Sequence, residues 1–386
     1  MTDLPEPSAT ARAHSERVVD AIRVEIASAG GYIPFSRYME LALYAPGLGY
    51  YAAGTHKLGA AGDFVTAPEM TPLYATALAT QVGAILAATQ HREVVELGGG
   101  SGRLAADLLH ALSARDVLPS RYAILEPSPD LAQRQRATIA SDAAEHLDRV
   151  VWIDRLPESI DGALIANEVL DAIPVDVMVR RDGQWQERGV TWDHAREALA
   201  WAERPAANRQ IAIAAARFPP DGDYSSEINP AAEALIEEIG RRLSGGAAVF
   251  IDYGFPAAEY YHSLRNDGTL MCHYRHRAHD NPFAWPGLTD ITAHVDFTAM
   301  AHAGERAGLH VAGFAALAPF LLGCGILDPL AATGPPESKA YIVAAAAVQK
   351  LLAPSEMGEL FKVLALARSH AIEWPGYTLA DRRHRL

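Results

Sequence analysis

Apolar residues recur along this chain in two rhythms, and each predicts a different kind of element. Near the N-terminus Val18, Val19, Ile22 and Ile26 stand at helical spacing over residues 8–29, and Gly30-Gly31 closes the run. From about 92 to 166 short apolar runs alternate with helical stretches: a strand at 93–97 before a helix at 103–112, a strand at 122–125 before a helix at 130–139, then strands at 150–153 and 163–166. Strands alternating with helices predict parallel βαβ units and an α/β fold. Runs at 175–179 and 184–191, joined across Arg181-Asp182-Gly183, predict a hairpin. A helix over 230–243 ends at Ser244-Gly245-Gly246 and feeds a central strand at 247–251. The tail predicts a helix at 295–307, a strand at 309–315, and helices near 337–350 and 355–368. Between 32 and 70 a short helix at 35–43 interrupts a long aromatic and glycine-rich loop, which reads as a lid packed on the core.

Composition narrows the class. The 386 residues are 49% hydrophobic and 21% charged, which excludes a disordered or fibrous chain. A net charge of −14 argues against a general nucleic-acid or anionic-membrane binder, because both need clustered Lys and Arg. Two cysteines, Cys272 and Cys324, make neither a disulfide scaffold nor a four-thiolate metal site and fit a reducing compartment. No apolar window reaches the roughly 18 residues of a spanning helix. The N-terminus, with Asp3, Glu6 and Glu16, resembles neither a signal nor a transit peptide, so a cytoplasmic protein is expected.

The chemistry concentrates in three blocks. VVELGGGSGRL sets Glu96, Gly98, Gly100 and Gly102 at alternate positions between a strand and a helix, with Gly99 between the first two glycines. Missing side chains let a ligand lie against the backbone, and the helix N-terminus beyond offers unpaired N–H groups. Arg103 and Ser101 stand where a dinucleotide G-x-G-x-x-G needs glycine, so nicotinamide and flavin are disfavoured. The spacing E-x-G-x-G-x-G resembles the first motif of class I S-adenosylmethionine (SAM) methyltransferases; a tight turn without a ligand is the alternative. Glu126, with Pro127 beside it in LEPSPDL, ends the next strand, where a carboxylate can accept from both ribose hydroxyls or instead cap a helix. GALIANEVLDAIPV delivers Asn167 and Glu168 to the carboxyl edge of the sheet, where open α/β sheets bind ligands. There Asn167 can hold the amino-acid moiety of the cofactor and Glu168 can take a proton or pair with a cation, while Asp171 reads equally as a turn cap.

With PFSRYMELALYAPGLGYY, GDFVTAPEMTPLY, SSEINP, FIDYGF, GTLMCHYRH, DITAHVDFTAM and MGELFKVLALAR added, the chain from about 33 to 368 resembles the MidA family, the bacterial relatives of the mitochondrial complex I assembly methyltransferases. The glycine block departs from the mitochondrial pattern in having no proline between its first two glycines. The resemblance implies a Rossmann-like class I methyltransferase core, a seven-stranded and mostly parallel sheet, with an N-terminal helical lid and an inserted α+β segment. The expected boundaries are 1–90 for the N-terminal helix and lid, 91–255 with 295–350 for the core carrying an inserted hairpin segment at 175–228, 256–294 for a substrate-side insertion, and 351–386 for a C-terminal helix and tail. It implies SAM as donor, S-adenosylhomocysteine as product, no metal, and for the mitochondrial branch symmetric dimethylation of an arginine in a respiratory complex subunit.

A guanidinium is always charged and offers no free lone pair, so an arginine methyltransferase needs carboxylates that localise its charge. Glu168 and Glu227 are the expected catalytic pair. Asp63, Glu69 and Asp252 are substrate-binding candidates, with Asp63 and Glu69 also able to fix the loop. Phe64, Thr66 and Pro68 of GDFVTAPE are expected to close over the cofactor and exclude water. His294 beside Asp296 reads as an acid/base pair or as a structural histidine. His273, Arg275, His276, Arg277 and His279 form a basic exception that reads as a solvated loop or as a docking surface, and less well as a metal site. Three functions follow: protein arginine methylation, methylation of a small molecule or another protein atom, and an assembly scaffold that retains the fold. The apolar segments 311–326 and 341–348 can bury either a core or a homodimer interface.

Overall fold

The computed structural model describes residues 4–53 and 66–386. Its main sheet has the strand order His310–Ala316, Phe361–Ala367, Leu243–Phe255, Ile160–Asn167, Glu93–Leu97, Arg121–Leu125, Val150–Ile153. Counted along the chain, this is 3-2-1-4-5-7-6, a doubly wound order with one hairpin strand inserted near its edge. Neighbours from 243–255 to 150–153 pair in parallel. Phe361–Ala367 alone runs antiparallel, to the strands on both its sides. The short Val295–Asp296 adds a parallel pairing at the end of Leu243–Phe255.

Each core strand is buried on both faces, and alternate residues feed two separate clusters. Val94, Ile165, Val249, Ile251 and Val363 face the helices Pro72–Ala87 and Arg103–Ser113. Val95, Leu164, Phe250, Leu364 and Leu366 face Pro230–Arg242 and Phe297–Arg306. A strand covered on both sides reads as a continuous apolar run, and that is why FKVLALA was open to misreading. The helix expected over 355–368 is a short turn of helix, Met357–Leu360, followed by the wholly buried strand Phe361–Ala367. The C-terminal segment therefore completes the core sheet. The helix Pro72–Ala87, absent from the sequence expectation, is buried along nearly its whole length and has no polar face to set its period.

The N-terminal segment and the insertion form one layer. Ile33–Pro34 pairs with Gln184–Asp193, with Ile33 opposite Val190. Asp176–Arg181, Tyr224–Ile228 and Ala198–Pro205 complete that sheet. The hairpin forms as expected, turning on Asp182 and Gly183, both at positive φ. Val18, Ile22 and Ile26 of the helix Ala9–Ser28 and Phe35, Tyr38 and Met39 of Phe35–Tyr44 bury against Val177 and Val190. Within residues 256–294, Met271–Tyr274, Arg277–His279 and Asp290–Thr292 form a three-stranded sheet. Phe314, Leu317 and Phe320 are fully buried, so the 311–326 segment is core; Ile342 and Val343 on Lys339–Leu352 stay exposed. Among the described residues no helix is long and apolar enough to cross a membrane.

Candidate active site

A cleft of about 970 Å³ opens at the carboxyl edge of the parallel strands. Its floor is the loop after Glu93–Leu97. An added Cβ at Gly99 would sit 2.7 Å from Ile124 Cγ2, and one at Gly102, where φ is +86°, would sit 2.9 Å from Gln135 Cα. Side chains are therefore excluded from this loop by its own packing, which leaves bare backbone facing the cleft at the start of helix Arg103–Ser113.

Glu126 ends the neighbouring strand and lines the same end of the cleft with Pro127. Its carboxylate accepts from the Ser128 amide and from Gln135 Nε2, both at 2.9 Å, and burial raises its pKa. Glu96 is buried under the loop, where burial lifts its pKa to about 7 and the Tyr122 hydroxyl, donating at 2.8 Å, opposes the rise. Glu69 accepts a short hydrogen bond from Ser101 of the glycine loop, so it fastens the lid helix Ala67–Met70 to the cofactor end. Thr66 and Pro68 line the cleft. Asp63 and Phe64 lie outside the described residues.

The other end is acidic. Glu168 stands at the tip of Ile160–Asn167 with φ of +53°, a conformation held by its amide bonding to Ile251 O at 2.9 Å. Its Oε1 accepts from Asn167 Nδ2 at 3.1 Å and from the Ala67 amide at 3.4 Å. Burial raises its pKa to about 8; nearby Asp171 and Asp290 add to the rise, and the two hydrogen bonds oppose it. Asn167 is itself held by Tyr74, whose hydroxyl donates to Oδ1 at 2.5 Å. Asp171 and Asp290 join Glu168 in the cleft wall with Tyr44, Tyr51 and Tyr253. Tyr44 and Tyr51 stack at 5.5 Å, and the Tyr51 hydroxyl donates to Asp290 Oδ1 at 3.0 Å. Among the described residues no Lys or Arg lies within ion-pair range of Glu168 or Asp171. Charge shielded from water without a cation is costly, which is why the pKa of both carboxyls is raised, that of Asp171 to about 6.

Three expected residues sit elsewhere. Glu227 points away from the cleft, within the inserted sheet, where Oε2 accepts from the amide and hydroxyl of Thr269, each at 2.9 Å. Asp252 lies beneath the site: one carboxylate oxygen accepts the amides of Val169, Leu170 and Asp171 at 3.1, 2.9 and 3.3 Å. It shapes the turn that carries Glu168 rather than meeting a ligand. His294 stacks on Phe255 at 5.2 Å, faces Thr269, and has its pKa pushed down to about 4 by burial. Asp296 does not pair with it; Asp296 caps Phe297–Arg306 through the Ala299 amide at 3.0 Å. Sequence reasoning missed Asp290, Tyr44, Tyr51 and Tyr253 as cleft residues, although each falls in one of the blocks that carried the resemblance.

A doubly wound sheet with a glycine cradle, an acidic residue on the adjacent strand and a closed acidic pocket beyond defines a class I methyltransferase. The comparisons agree. Residues 76–315 match the family model described as "Putative S-adenosyl-L-methionine-dependent methyltransferase". The mitochondrial protein arginine methyltransferase NDUFAF7 homolog of Drosophila melanogaster is 31% identical, covering 94% of this chain and 87% of that protein. The Mus musculus NDUFAF7 is 29% identical over 87% and 81% of the two chains. A crystal structure from Burkholderia thailandensis, bound to S-adenosyl-homocysteine, superposes over the whole of both chains with a TM-score of 0.95 at 48% identity. The chain belongs to the MidA family of SAM-dependent methyltransferases.

Proposed function

We propose that this enzyme methylates the guanidinium of an arginine in a protein. The observation that carries the reading is the acidic group of buried Asp171 and Asp290 and half-buried Glu168, with no lysine or arginine paired to Glu168 or Asp171 among the described residues and with tyrosine rings along the wall. Its desolvation cost is offset when a cation enters, and a planar guanidinium suits both paired carboxylates and aromatic faces. Bound in the glycine cradle, SAM supplies an electrophilic methyl on a sulfonium. Glu168, held between Asn167 and the Ala67 amide, aligns the acceptor nitrogen and its ionised carboxylate takes up the N–H proton, leaving that electron pair for the nitrogen–methyl bond. The lid helix, fastened by Glu69 to Ser101, excludes water. The names of the curated relatives support the same acceptor.

Two finer readings go with it. The buried free thiols Cys272 and Cys324 support a cytoplasmic location, and exposed Ile342 and Val343 support a homodimer, which sedimentation tests. The acceptor is tested with lysate of a deletion strain, this enzyme and methyl-labelled SAM. Label recovered as symmetric dimethylarginine after protein hydrolysis supports the proposal. Label confined to small molecules, or absence of a thermal shift with millimolar SAM, overturns it.

A further inference from the structure

Helix Arg103–Ser113 begins at the glycine loop and ends beside the 3-10 turn Ala144–Arg149. Toward that far end, about 12 Å from Gly102 of the loop by helix rise, His110, Glu145 and His146 bring one ligand atom each within 4.8 Å of the others. His110 Nδ1 lies 3.4 Å from Glu145 Oε1, and the same oxygen lies 3.8 Å from His146 Nε2. The two rings meet edge to face at 5.8 Å.

The other nitrogen of His110 settles the tautomer. Nε2 is 2.5 Å from the Asp142 carbonyl oxygen, which can only accept, so Nε2 carries the hydrogen. In the neutral ring the lone pair is then on Nδ1, and it faces a carboxylate oxygen. Two acceptors that face each other are held together by a cation between them, a proton on Nδ1 or a metal ion. A backbone carbonyl on the distal nitrogen is also the arrangement that fixes metal-ligating histidines. A tetrahedral zinc with bonds of about 2.0–2.1 Å has ligand atoms about 3.4 Å apart, against the 3.4 and 3.8 Å found here.

We propose that His110, Glu145 and His146 bind one zinc ion, with water as the fourth ligand, and that the ion staples the end of helix Arg103–Ser113 to the turn behind it. Two imidazoles and a carboxylate are a zinc ligand set. Arg103, at the other end of the helix, lines the cofactor cleft and donates to Asp142 Oδ2 at 2.5 Å. Asp142 thus receives both ends of the helix, through its side chain from Arg103 and through its carbonyl from His110, and the ion fixes the second of these. The proposal is independent of the acceptor specificity.

The test uses the full chain, stripped by chelator and titrated with zinc chloride in a calorimeter, with cobalt(II) as the optical probe of geometry. The expected result is one zinc per chain, at least tenfold weaker in His110→Ala and in Glu145→Gln, and an intense visible band from four-coordinate cobalt lost in both. Both substituted side chains are largely exposed, and circular dichroism checks that the fold is kept. His91→Ala, a histidine paired with Asp161 elsewhere, leaves binding unchanged. Absence of saturable binding, or full binding in both variants, overturns the proposal.

Discussion

Asn167 Nδ2 donates to Glu168 Oε1 at 3.1 Å, so two neighbouring side chains of the cleft wall hold one another in place. The two sit side by side at a strand tip, and the positive φ of Glu168 turns its carboxylate back toward the neighbouring side chain. If Asn167 holds the cofactor and Glu168 the acceptor, as proposed, one piece of backbone sets both placements.

Glu168→Gln removes the charge and keeps the size. The methyl-transfer rate is expected to fall by about 10²–10⁴-fold, the range for a positioned acid–base group. SAM affinity, measured by calorimetry, should change by less than threefold, because the glycine cradle and Glu126 are untouched. A variant with normal turnover would remove Glu168 from the mechanism.

The raised pKa of Glu168 has a definite sign in both stability and activity. Its folded pKa of about 8 lies above the ordinary 4.5, so the native state holds more protons than the unfolded chain between those values. Stability of the free enzyme therefore falls as pH rises through that window. Glu96, lifted to about 7, contributes in the same direction. Thermal melts from pH 5 to 8 should show the fall, and Glu168→Gln should flatten it. The kcat/KM of the wild type should rise over the same window toward about pH 8, because only the ionised carboxylate holds a cation.

Gly102→Ala tests the cradle. Its Cβ would meet the Gln135 backbone at 2.9 Å in a conformation, φ +86°, that alanine adopts only under strain. The expected cost is about 1–3 kcal/mol, read as a lowered unfolding midpoint, together with at least a tenfold loss of SAM affinity. Loss of stability with unchanged affinity would place the cofactor elsewhere.

How far the sequence reached follows from locality. The glycine loop, Glu126, Asn167 and Glu168 each end a strand, and strand ends are marked by glycine and by the change from apolar to polar residues. Their convergence at one edge follows from parallel pairing alone. Asp171, Asp290, Tyr44, Tyr51 and Tyr253 come together from distant segments, and no period or spacing along the chain announces that meeting. Glu227 misled because SSEI ends a strand of the second sheet, whose edge does not open on the cleft. Pro72–Ala87 and Phe361–Ala367 were hidden for one reason: each is surrounded by apolar neighbours, and full burial erases the alternation that distinguishes helix from strand.

Asp252 and Glu227 separate positioning from mere packing. Both are buried carboxyls, Asp252 accepting from backbone amides and Glu227 from an amide and side-chain hydroxyls, and amide replacement of either should cost about 1–3 kcal/mol by leaving buried donors poorly met. Only Asp252 gathers the amides of Val169, Leu170 and Asp171, the turn that aims Glu168 and Asp171 into the cleft. Asp252→Asn should therefore lower kcat at least tenfold and shift the kcat/KM pH profile, because the spacing of the acidic group changes. Glu227→Gln frees the Thr269 contacts outside the cleft and should leave kcat, KM and SAM affinity within twofold of wild type at equal folded fraction. Matched denaturation and steady-state measurements on the two variants decide it: equal kinetic defects would make Glu227 part of the site and reduce Asp252 to a structural carboxyl.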